Sequence, residues 1–135
     1  ELDHWERSAY GAFALVILFD QFPRNMFRGT PKAFASDEKA KLIADRAIAA
    51  GRDKAIDPEV HTFFYMPFMH SESLADQERC VALMEAGGDQ ENIKYAEIHR
   101  DAIARFGRFP HRNEILGRES TPEEIAYLEG GGFKG

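Results

Sequence analysis

The sequence predicts an all-α protein, a compact bundle of about seven helices in antiparallel pairs. Three observations carry this. Apolar residues recur at the 3.6-residue helical period, and no stretch reads as a strand. Ser, Thr and Asp stand where helices would start, and glycines stand where they would stop. The connections are short, which sets successive helices side by side. At 135 residues the chain suffices for one domain with a proper core. That domain is expected over residues 1–129, with 130–135 ("GGGFKG") as a flexible Gly-rich tail that has little to hold it.

The first helix is expected over about residues 2–22, with Leu2, Trp5, Ala9, Ala12, Phe13, Val16 and Phe19 at helical spacing. Its second half is apolar all round, as suits a central helix. Pro23 should end it, because proline disfavours helical geometry at the preceding residue. Thr30-Pro31 then supplies an N-cap and N1 pair. Ser36, followed by Asp37 and Glu38, caps a helix that runs to Ala50 and closes at Gly51. Asp57-Pro58 opens another, expected to end near Met66 before Pro67. Ser73 with Asp76 resembles a capping box for a helix to Ala86, closed by Gly87-Gly88. A long helix follows over about residues 90–106, closed by Gly107. After a short helix around His111 to Leu116, Thr121, Pro122 and Glu124 start the last one with a capping box.

The net charge of −6 argues against nucleic acid as a partner, since phosphate neutralisation needs a basic surface. The charge is uneven: Arg100, Arg105, Arg108, Arg112 and Arg118 form a local basic stretch that suits a small anion better than a polymer. The longest apolar run, Tyr10 to Phe19, is ten residues, too short to span a bilayer. One cysteine, Cys80, excludes an intrachain disulfide and reads as a buried small hydrophobe. With no signal-peptide pattern, a cytoplasmic location is expected. No initiator Met is present, so a segment ahead of Glu1 is expected.

Three long motifs, "LVILFDQFPRNMFRGTPKAFASDEKA", "YMPFMHSESLADQERCVALM" and "HRDAIARFGRFPHRNEILGRESTPEEIAYL", resemble a bacterial family of uncharacterised proteins, domain of unknown function 924. The likeness spans nearly the whole chain. It implies a TPR-like, α-α superhelix type of fold and a further N-terminal segment ahead of "LDHW". It implies no activity, so no catalytic residue can be carried over from it.

Two stretches, "LFDQFPRNMFRGT" and "RFPHRNEILGREST", share a Phe-Pro-(His)-Arg-Asn phrase and hold most of the candidate residues. Asp20 shares a helix face with Val16 and Ile17, where an isolated carboxylate is costly. It either pairs an arginine to lock the helix end or serves as a functional carboxylate. Arg24, Arg28, Arg112 and Arg118 are the candidate anion clamp, since a guanidinium fork matches a carboxylate or phosphate. Their plainer role is to brace free carbonyls at helix ends. Asn25 and Asn113 would orient a ligand. His70 and Glu72 stand where an apolar wall turns polar, and His99 and His111 complete the set. Asp20 and His70 are the credible proton-transfer groups. His70, Glu72, His99 and His111 lack metal-ligand spacing, and no nucleotide or hydrolase motif occurs, so neither a metal nor a cofactor is expected.

Two functions fit. One is a site for a small anionic ligand where the two Phe-Pro-Arg-Asn corners meet. The other is a non-catalytic TPR-like interaction domain or homodimer, with helices such as residues 90–106 supplying the face.

Overall fold

The computed structural model describes residues 2–135. All regular structure among them is helical. The chain divides into two compact units, Glu1–His70 and Ser71–Gly135.

The first unit opens on a 3-10 turn, Asp3–Arg7. Ser8 interrupts it in extended geometry, and its hydroxyl accepts the Gly11 N–H at 3.0 Å, so the helix proper starts at Ala9 rather than near Leu2. A Cβ at Gly11 would collide with the Trp5 carbonyl, so this close approach needs glycine. Helix α1 (Ala9–Val16) runs into a π-helical turn (Ile17–Gln21) and on into α2 (Phe22–Met26). One continuous rod therefore carries Pro23 inside it, and the expected stop at Pro23 does not occur. Proline removes an N–H and crowds the carbonyl four residues back. Here the wider π turn takes up the crowding, and that carbonyl, on Phe19, accepts the Ser36 hydroxyl at 2.6 Å. Ser36 consequently makes no side-chain cap on its own helix, contrary to expectation.

A 3-10 turn (Pro31–Phe34) leads into α3 (Asp37–Ala49), with Gly51 left-handed just beyond it. Helix α3 packs on α1. Ala40, Ile43, Ala44 and Ala47 from α3 and Ala12, Leu15 and Val16 from α1 are all buried. Small alanines let two helix axes approach closely, so the larger side chains can interlock around them. Asp57-Pro58 opens a turn and not the expected helix, with the Asp57 carboxylate accepting the Glu59 N–H at 3.0 Å. The next elements are a 3-10 turn (His61–Phe64) and the short α4 (Met66–Met69). Pro67 lies in the first turn of α4, where its missing N–H costs nothing, so it starts a helix instead of ending one.

In the second unit α5 (Leu74–Gly87) is capped by Ser73, whose hydroxyl accepts the Asp76 N–H, and closes at left-handed Gly88. Helix α6 (Gln90–Phe106) closes at Gly107 as expected, and Asp89 caps its start. The two form a helical hairpin. A 3-10 turn (Pro110–Arg112), α7 (Asn113–Leu116) and α8 (Pro122–Glu129) follow, and Thr121 and Glu124 make the expected capping box. Cys80 is fully buried, and burial pushes its thiol up to about 12, so it is inert as a nucleophile. Phe133 packs against Ala102, Ile103 and Phe109, and its N–H reaches the Tyr127 hydroxyl at 3.0 Å. The Gly-rich end thus has an apolar anchor that its glycines concealed. No helix among the described residues is long and apolar enough to cross a membrane.

Candidate functional site

The first corner is built on the π turn. Asp20 is 0% exposed there. One carboxylate oxygen accepts from Arg24 Nη1 at 3.1 Å and lies 2.8 Å from His70 Nδ1, and the other accepts from Gln21 Nε2 at 2.5 Å. Burial alone would raise the Asp20 carboxyl. The charge and hydrogen bond of His70, the charge of Arg24 and the Gln21 amide outweigh it and hold the group below its ordinary value. An ionised carboxylate only accepts, so His70 Nδ1 must carry the shared hydrogen.

Arg24 is not available as half of an open clamp. Its fork grips Asp37 at 2.7 and 2.9 Å, and Nη1 also reaches the Asp20 carbonyl at 3.1 Å. The Asn25 amide donates to the Gln21 carbonyl at 3.0 Å. Together with the Ser36 hydroxyl on Phe19, these side chains serve successive carbonyls around the π turn. Much of the polar crowd after Phe19 therefore heals a helix that Pro23 interrupts. Arg28 differs: it is exposed, touches only Asn25 Oδ1 at 3.4 Å, and faces no carboxylate among the described residues.

The second corner pairs each acid with its own arginine. Glu72 takes both arms of Arg118, at 2.8 and 3.1 Å, and accepts the Phe109 N–H at 2.6 Å. Burial works against its ionisation, but Arg118, the Phe109 N–H and the Arg112 charge keep the carboxyl below its usual range. Glu124 receives Arg108 at 2.7 and 2.9 Å. That grip, against the opposing effect of burial and with help from Thr121 and Asn113, brings Glu124 down to about 2. Asn113 links the two pairs, accepting from Arg118 Nε at 3.0 Å and donating toward Glu124 at 3.3 Å.

The remaining expected residues fall in an aromatic cluster. His99 Nδ1 meets the Tyr95 carbonyl at 2.7 Å, and its ring packs on Phe109 and Phe133. Arg112 is buried with its guanidinium 4.8 Å from the Phe109 ring centroid. His111 lies against Phe109 and Phe133, and its Nδ1 is buried without a hydrogen-bond partner among the described residues. Burial and the neighbouring Arg112 charge lower it to about 4. Among the described residues no group of three or more His, Cys, Asp or Glu could hold a metal ion.

Thus the first unit brings together Asp20, Arg24 and His70, with Asn25 and Arg28 on the rim. The second brings together Glu72, Asn113 and Arg118, with His99, His111 and Arg112 in aromatic packing. Sequence reasoning missed the partners Gln21, Asp37, Arg108 and Glu124. Asp37 and Glu124 each carried a visible signal, an acid in a first helical turn, but that signal concerns capping and says nothing about a distant guanidinium.

Fold and corners together define an all-helical protein whose two related corners are closed by buried and partly buried ion pairs. The chain belongs to the family described as "Bacterial protein of unknown function (DUF924)", which matches residues 1–132. It is similar to a solved structure, that of the protein of unknown function ATU0120 from Agrobacterium tumefaciens, with a TM-score of 0.93 and 49% identity. The match covers 96% of this chain and 73% of that one. No curated protein matches.

Proposed function

We propose that the first corner is a small-ligand site in which the Asp20–His70 pair handles a proton and Arg28, with Asn25, meets an anionic group. The observation that supports this best is the 2.8 Å contact between a fully buried carboxylate and an imidazole whose side chain is 17% exposed. A buried carboxylate that fixes an imidazole's tautomer is the arrangement proton-transfer sites use. The π turn adds weight, since such turns concentrate at functional sites. Arg24 then positions Asp20 and is not itself a ligand-binding group. A thermal-shift screen of small carboxylates and phosphates tests this. We expect at least one to raise the melting temperature of the wild type and to lose its effect in Arg28→Ala and His70→Gln. A screen in which no anion stabilises the wild type, or in which both variants respond as it does, rejects the proposal.

A second reading, a non-catalytic interaction or homodimer surface, has Phe22 and Met26 in its favour. They lie one turn apart and are 51% and 70% exposed. Light scattering of the wild type and Met26→Glu distinguishes them: a dimer that the substitution dissociates supports this reading, and a monomer at all concentrations removes the homodimer.

A further inference from the structure

We propose a second binding site, in the second unit, for a carboxylate carried on a small apolar or aromatic body. The C-terminal end of α8 and the chain after it leave an open depression of about 400 Å³, lined by Arg105, Ala126, Tyr127, Gly130, Gly131 and Gly132. Arg105 is its charged group. The guanidinium carbon lies 4.7 Å from the Phe106 ring centroid and 5.5 Å from that of Tyr127. Those rings hold it by cation–π attraction and leave its N–H edges unengaged. The Arg105 side chain makes no hydrogen bond or ion pair with any described residue, so its fork has no acceptor among them.

A cation beside a helix C-terminus has a simpler role, to neutralise the last carbonyls. Here two of those carbonyls are already served: Ala126 accepts from Gly130 N–H at 2.9 Å and Tyr127 from Gly132 N–H at 2.8 Å. Arg105 is therefore not needed as their cap. The wall facing it is shaped as well. Tyr127 is pinned by Phe106, 5.0 Å between ring centroids, and by the Phe133 N–H on its hydroxyl. A Cβ at Gly132 would run into the Tyr127 ring, so the strand of glycines lies flat against it and leaves bare backbone at the mouth. A planar fork over an aromatic wall selects a planar anion with an apolar body, because the two N–H bonds run parallel to a carboxylate while the ring covers the rest. The depression falls within the size range of small-ligand pockets.

Amide NMR on the full chain tests this with three probes: benzoate, benzamide and inorganic phosphate. Benzoate is expected to shift the Gly130, Gly131 and Gly132 amides saturably, with benzamide and phosphate weaker by about tenfold, the loss of one charge-assisted pair. Arg105→Gln should abolish the benzoate response, Arg105→Lys should weaken it because charge remains without the fork, and Arg28→Ala should leave it unchanged. Benzamide or phosphate equal to benzoate, or a benzoate response that survives Arg105→Gln or disappears in Arg28→Ala, would overturn the proposal.

Discussion

The two Phe-Pro-Arg-Asn corners share a phrase and differ in charge balance. In the second, Glu72 has Arg118 and Glu124 has Arg108, each held by two arms, so both carboxylates are matched. In the first, Asp20 and Asp37 share a single arginine, Arg24, and the further partners of Asp20 are His70 and the neutral Gln21 amide. Histidine is the side chain that changes charge near neutral pH. The second corner is thus a brace, complete in itself, whereas the first closes on an imidazole. The prolines differ too. Pro110 starts a 3-10 turn after extended Phe109, where its missing N–H is harmless. Pro23 sits within a rod and requires a π turn and a borrowed hydroxyl.

The largest expected effect comes from removing the unmatched charge. Asp20→Asn leaves Arg24 and His70 facing a neutral amide in a buried site, and should cost about 3–5 kcal/mol in urea unfolding. Glu72→Gln, at a partly exposed pair, should cost about 1–2 kcal/mol. Equal losses would erase the distinction between corners. The proline contrast is addressed by a double-mutant cycle. Ser36→Ala should cost about 1 kcal/mol in the wild type and clearly less beside Pro23→Ala, where a restored N–H can serve the Phe19 carbonyl. Additive effects would sever Ser36 from the π turn.

Acid titration separates the second unit's groups. Glu124 at about 2, against an ordinary 4.5, binds its proton later than the unfolded chain does. Its stabilisation is present above pH 4.5 and is lost as pH falls toward 2. His111 at about 4, against 6.5, likewise takes up its proton later than the unfolded chain. Its contribution is present above pH 6.5 and is lost between 6.5 and 4. His111→Phe should flatten the upper window in a pH series of melting temperatures and leave the lower one. The smallest effect is chemical: Cys80 should resist alkylation in the native state and react on unfolding.

Much of the helical layout was legible in sequence. Helix α6, its Gly107 terminator and the Thr121–Glu124 box follow from signals a few residues long. Pro23 was not legible, because its tolerance rests on the Ser36 hydroxyl, 17 residues from the Phe19 carbonyl that it serves. Nor were the arginine partners, since the Arg118–Glu72 pair spans 46 residues and Arg24–Asp37 spans 13, and no local period encodes either. Asp20 and His70 stood out by type and setting, but their contact across 50 residues is a product of the fold.

An ionised Asp20 holds His70 in one tautomer, which the imidazole ¹⁵N resonances read directly. The neutral imidazole of His70 should carry its hydrogen on Nδ1, and Asp20→Asn should remove this bias. A neutral His70 with its hydrogen on Nε2, or one unaffected by Asp20→Asn, would contradict it.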